Sequence, residues 1–329
     1  MNAANQSKQT LIIGVLTLAS LALLAVIYFA PVWWVALKAP NYPEHTFPDG
    51  IRIHFHVDGV FNGCKAREST EVAEGEALDC KHEMDTINHY VGMYPIAAGA
   101  PVERAVSPFI FVLLGVMLVA FAMPGRKSRT VVLLVGCLGI AGWMSAALYT
   151  EGGFKYTSPG YQSDVMETLD LDREDVEDWT ALTAVEESYF EALGRYFPGQ
   201  DMGARVQLIV NIVQGVFVAM LVAMAVLVVG AWKWKPFYWL LIVVPALLPL
   251  FFVIDYSGWL WWFGHNLSDM GAFTVKPFMP TVFGDGKVAQ FSTHSYPSTG
   301  FGLMMASSFI LLIAALLRGR QMRRGGFEV

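Results

Sequence analysis

VQLIVNIVQGVFVAMLVAMAVLVVGAW, residues Val206 to Trp232, runs 27 residues without a charged side chain. Crossing the hydrocarbon of a bilayer takes roughly 20 helical residues. Backbone groups in lipid must pair within their own segment, so the stretch predicts a transmembrane helix. Five further apolar runs surround it: Leu11 to Leu37, Pro108 to Met123, Val131 to Tyr149, Pro236 to Ile254 and Phe301 to Leu317. The 329-residue chain is 55% hydrophobic and 15% charged, a composition foreign to ordinary water-soluble domains. The alternating ten-residue segments of a transmembrane barrel are missing from the sequence. The first run is too long for a simple cleaved leader and no A-x-A site follows it, so it reads as a retained anchor helix over 1–37.

Basic residues orient these spans. Arg126-Lys127-Ser128-Arg129, Lys233-Trp234-Lys235 and the tail with Arg318, Arg320, Arg323 and Arg324 alternate with long acidic segments. Positive connections stay cytoplasmic, which predicts six transmembrane helices, both termini inside and three outer segments over 38–107, 150–204 and 255–300. Two-helix hairpins fall at 108–149 and 205–254, and 301–329 holds the last helix and the tail. The first outer segment carries eleven acids against six bases, the second thirteen against three. An outer face of that charge excludes nucleic acid as a partner and suits cations or a basic protein. The expected setting is the inner membrane of a bacterium, with the large segments periplasmic.

The first outer segment is expected to form a small α+β domain. Residues 50–57 alternate polar and apolar as a half-buried strand does, and Asp58-Gly59 marks a turn. Residues 65–79 read as a solvated excursion, and Lys81 to Met93 as a helix ending near Gly92 and Pro95. In the second segment the Gly/Pro-containing start reads as irregular, and Asp175 to Phe197 as a helix. Its stripe of Trp179, Leu182, Tyr189, Leu193 and Tyr196 is expected to dock on the protein's own outer domain. Trp259, Trp261, Trp262 and Phe263 read as an aromatic belt opening the third segment, and 287–294 as a short strand.

All seven histidines, His45, His54, His56, His82, His89, His265 and His294, fall in these outer segments. His54 and His56 share one face of the expected strand, a geometry for two imidazoles on one metal or simply the polar face of an amphipathic strand. His82, Asp85, His89 and Met93 follow at steps of three, four and four, one stripe on a helix. Imidazole with thioether favours copper. The alternative is a local Asp85–His89 pair with Met93 packed. A zinc-protease helix is excluded, because the second histidine comes seven residues after the first rather than four. Cys64 and Cys80 are expected to form a structural disulfide, with a pair of thiolate ligands or unpaired thiols as the alternatives. The acids between Asp170 and Asp178 lack the glycine of a calcium loop and suit a helix N-terminus. The sequence holds no nucleotide-binding loop, nucleophile elbow or CxxC, and offers no catalytic set.

Ile87-Asn88-His89-Tyr90-Val91-Gly92-Met93 and Gly286-Lys287-Val288-Ala289-Gln290-Phe291-Ser292-Thr293-His294-Ser295-Tyr296 resemble segments of uncharacterised polytopic membrane proteins associated with nitrous-oxide reductase and copper-maturation gene clusters. The resemblance implies a copper or respiratory context and a shared outer site at His89, Met93 and His294. The expected function is a membrane-integral accessory protein for an outer-face metalloenzyme or respiratory complex, binding or delivering copper or docking the enzyme. Its expected metal ligands are His54, His56, His82, His89, Met93 and His294. A structural subunit without a metal site is the alternative, and an integral membrane enzyme or transporter the third reading.

Overall fold

Pro31 ends the first helix and turns the chain into a strand. The computed structural model describes residues 3–64, 79–96, 100–198, 202–272, 274–288 and 290–323. Helix α1 spans Ala3–Phe29 and strand β1 Trp33–Lys38. The last part of the run expected as one helix to Leu37 is therefore extended. Proline cannot continue a helix, and the Val-Trp-Trp-Val run beyond it has aromatic and β-branched residues that suit a pleated surface. The order continues β2 Ile51–His56, β3 Gly59–Asn62, α2 Cys80–Tyr90, α3 Pro101–Ala122 and α4 Arg126–Tyr149, then a 3-10 turn at Gly153–Tyr156. After it come α5 Pro159–Leu169, α6 Ala181–Tyr196, α7 Met202–Lys233, α8 Phe237–Ala246, α9 Leu248–His265, β4 Gly284–Val288, β5 Phe291–Pro297 and α10 Thr299–Arg323.

Among the described residues, five helices are long and apolar enough to cross a membrane, or six when α8 and α9, bent by 62° at their junction, count as one span. Pro245 and Pro249 flank the break. The helix beyond it runs on to His265, so Asp255 and the Trp259–Phe263 aromatics belong to a helix and not to a loop. Helix α5 was not expected. Ser158 caps it by accepting from Tyr161 N, and Pro159 takes the first helical position, where its missing N–H costs nothing.

The sheet has the order β3-β2-β1-β5-β4, antiparallel throughout. Through β1, which lies between them, it joins β2 of the 38–107 segment to β5 of the 255–300 segment: β1 pairs with β5 from Trp33 opposite Pro297 to Lys38 opposite Ser292. Helices α1 and α10, which lead into β1 and out of β5, also pack on one another. One sheet face, with Trp33, Val35, Leu37, Ile51, Ile53 and Ser295, is buried. Ser295 receives Trp33 Nε1 at 2.9 Å and donates to Val282 O at 2.7 Å. The other face is half-buried; there the Arg52 guanidinium lies 4.2 Å over Trp34, whose ring is 5.4 Å from Tyr296.

Three ties hold the remaining segments to this sheet. Cys64 and Cys80 are disulfide-bonded. Gly92 accepts from Ser268 N at 2.7 Å, and its φ of +81° together with Ser268 O, which a Cβ would approach to 2.6 Å, requires glycine. The third tie is ionic and belongs to the site below. At the opposite end of the bundle Arg129 lies 4.2 Å over the Tyr238 ring, whose hydroxyl donates to Phe121 O. Gln321 links Arg318 to Thr10 there, joining the last helix to the first. The expected excursion at 65–79 lies almost wholly outside the described residues.

Candidate functional site

The histidines occupy separate places. His54 and His56 share the half-buried face of β2, as their spacing requires; His54 stands opposite Trp34 and Phe61, and the His56 ring is 4.9 Å from Phe61. Burial lowers both imidazoles; it takes His56 down to about 4, aided by His54, so His56 is neutral near pH 7. His82 and His89 are brought to one aromatic seam between α2 and α6. His82 Nδ1 is 2.8 Å from the Tyr196 hydroxyl, and His89 packs 5.0 Å from Phe197. Met93 lies beyond the end of α2 and turns into the core beneath the sheet, 4% exposed, so the helical stripe ends at His89. His294 Nδ1 sits 2.6 Å from Asp285 Oδ1 on the β4–β5 hairpin. His265 stacks on Trp261 at 4.5 Å. His45 is exposed. Among the described residues no three of His, Cys, Asp and Glu gather where a metal ion would fit.

What the outer elements do converge on is a buried ionic knot. Asp164 of α5, 3% exposed, accepts from Arg104 of α3 at 2.5 Å and also from Lys81 of α2. Beside it the β2–β3 turn inserts Asp58 over the start of α5, where a Cβ on Gly160 would lie 2.9 Å from Oδ2. A carboxylate is favoured at a helix N-terminus. Burial nevertheless raises the Asp58 carboxyl, against the pull of Ser158 and Arg104. Gly59, with φ +151°, lets this turn approach Arg104, whose Nε would be 3.2 Å from a Cβ. A cavity of about 90 Å³ adjoins the knot between α2, α5 and α6, walled by Lys81, His82, Arg104, Tyr161 and Tyr196. It has room for a few waters among mixed charges.

A second, apolar cleft was invisible from the histidines. Helix α3 packs along α8, and the bend carries α9 away, opening a wedge under the sheet. The wedge encloses about 200 Å³ among Phe111, Phe251, Phe252, Tyr256 and Leu260, with Glu103, Asp255 and His56 also on its wall. Glu103 Oε1 accepts from Trp259 Nε1 at 2.8 Å, bridging α3 to α9. The signal was present in the sequence: an acid inside an apolar helix is costly and marks a pathway or ligand site. Ending the span at Ile254 left Asp255 one residue outside it.

Compared with known protein families, curated proteins and solved structures, the chain shows no match.

Proposed function

We propose that this chain is a membrane-integral accessory subunit of the bacterial inner membrane that holds a rigid acidic domain on the periplasmic side, with both termini cytoplasmic, and docks a metalloenzyme or another subunit of a respiratory complex there. The observation that carries the reading is a fixed acidic ridge between α5 and α6. Asp170, Asp172, Glu174, Asp175, Glu177 and Asp178 are all exposed, while Val176 between them is buried. Asp175 Oδ2 accepts from Asp172 N at 2.8 Å, Asp178 O from Gly152 N at 3.1 Å, and Trp179 O from Phe154 N at 2.9 Å. Six like charges held on a pinned backbone steer a basic partner and set its orientation. The disulfide agrees with an oxidising outer compartment.

The test is gentle solubilisation of native membranes followed by crosslinking and affinity capture, for the wild type and for Glu174→Lys/Glu177→Lys/Asp178→Lys. A partner captured by the wild type and lost from the variant is expected; equal capture by both refutes the ridge as the dock. A copper-handling form of the same reading rests on His89, whose buried Nδ1 has no hydrogen-bond partner among the described residues. It requires copper in the purified complex that His82→Ala/His89→Ala removes.

A further inference from the structure

Independently of any docked partner, the wedge between α3 and α9 has the form of a ligand site. Its walls are aromatic and aliphatic, and its polar groups are few and gathered, the usual composition of a small-molecule pocket. A cavity of about 150 Å³ lined by apolar side chains accepts benzene. The 200 Å³ here therefore admits one substituted ring. Ile110 and Phe251, exposed on α3 and α9, stand at the wedge and mark where an apolar tail would leave between the spans.

The polar groups select the head of the ligand. Trp259 donates to Oε1 of Glu103, and Oε2 is buried on the wedge side. Beside Glu103 lies the Asp255 carboxyl, hydrogen-bonded to it, so the two form one acidic pair on the apolar wall. Two carboxyls on an apolar wall call for a hydrogen-bond donor. They repel the phosphate of a phospholipid, and a permanent cation would lose most of its hydration to enter. A neutral hydroxyl meets both conditions.

We propose that the wedge binds a lipid-soluble molecule with a hydroxyl-bearing ring, of the quinol or phenol type, whose hydroxyl donates to Glu103 and Asp255 while its apolar tail leaves between Ile110 and Phe251. His56 also borders the wedge. The assignment is one of binding alone.

The test uses the full chain in lipid nanodiscs, titrated anaerobically with decyl-hydroquinone. Saturable binding is expected. The dimethyl ether of the same ring, which fills the wedge but donates nothing, is expected to bind at least ~10-fold more weakly, since a hydrogen bond to a charged group contributes about 1.5–3 kcal/mol. Glu103→Gln/Asp255→Asn should weaken the hydroquinone by a similar factor and leave the ether unchanged. Ile110→Trp, at the mouth and outside the core, should block both. Lack of saturable binding, equal affinity for ether and hydroquinone, or displacement of the hydroquinone by phosphatidylethanolamine would each overturn the proposal. The ether comparison is made on the wild type and stands even if the double variant fails to fold.

Discussion

Replacing Asp164 by asparagine keeps its shape and deletes its charge. The carboxylate is 3% exposed, and Arg104 beside it 5%, so both are largely withdrawn from bulk solvent. Lys81 is 16% exposed and has a flexible stem that can carry its ammonium outward. The cost therefore falls on Arg104, left charged and buried without its carboxylate. Breaking a buried pair from one side costs about 3–5 kcal/mol, most of it the stranded partner. That is a fall in melting temperature on the order of 10 °C. Because Asp164 ties α5 to α2 and α3, the loss should also expose residues 150–198 to protease before the spans unfold. Thermal unfolding in detergent by near-UV circular dichroism, with limited proteolysis, measures both. Asp164→Asn/Arg104→Met removes the stranded charge and should recover most of the stability. A single variant within ~0.5 kcal/mol of the wild type, or a double variant worse than the single, would refute the role given to this knot.

The remaining predictions concern pH and the disulfide. Burial holds His56 near 4 in the folded chain against 6.5 when unfolded, so between those values the unfolded chain binds the extra proton. Its stabilising contribution is whole above pH 6.5 and drains as pH falls toward 4. The shift corresponds to about 3 kcal/mol, reduced to ~2 for a partly exposed ring; His56→Gln should flatten the fall in melting temperature between pH 6.5 and 4.5, and an unchanged slope would count against it. Cys64→Ser/Cys80→Ser opens a loop with a sequence separation of 16, and its loss should lower stability by about 3 kcal/mol in the chain-entropy account, read from unfolding under non-reducing conditions. A difference under ~1 kcal/mol would assign the anchoring of α2 to the ionic knot instead.

The helical runs were legible because lipid permits few alternatives, and β2 because Arg52, His54 and His56 alternate with Ile51, Ile53 and Phe55. The end of α1 was legible too, in Pro31, but hydrophobicity alone carried the run through to Leu37. The strand there is set by β2 on one side and by β5, hundreds of residues away, on the other, and the pairing of Trp33 with Pro297 leaves no local trace. Ser158-Pro159 announced α5, yet the glycines and prolines around it read as a loop. Least legible was the wedge. It depends on the angle between α8 and α9, and Pro245 and Pro249 say that a bend exists without saying what it opens. The histidines show the other side of this: their residue type suggests ligands and does not disclose that His82, His89 and His265 pack on aromatic rings.

The pairing of β1 with β5 also orders events during synthesis. Strand β1 is among the first outer residues made and β5 among the last, with more than seven-tenths of the chain between them. Until residue 297 is delivered, β1 has β2 on one side and a bare edge on the other, ready to pair with any passing strand. The closing of the sheet thus waits on the helices between, whose number as spans sets whether β1 and β5 meet on one side of a bilayer. One span left out between them would strand the two on opposite sides and leave the edge of β1 bare.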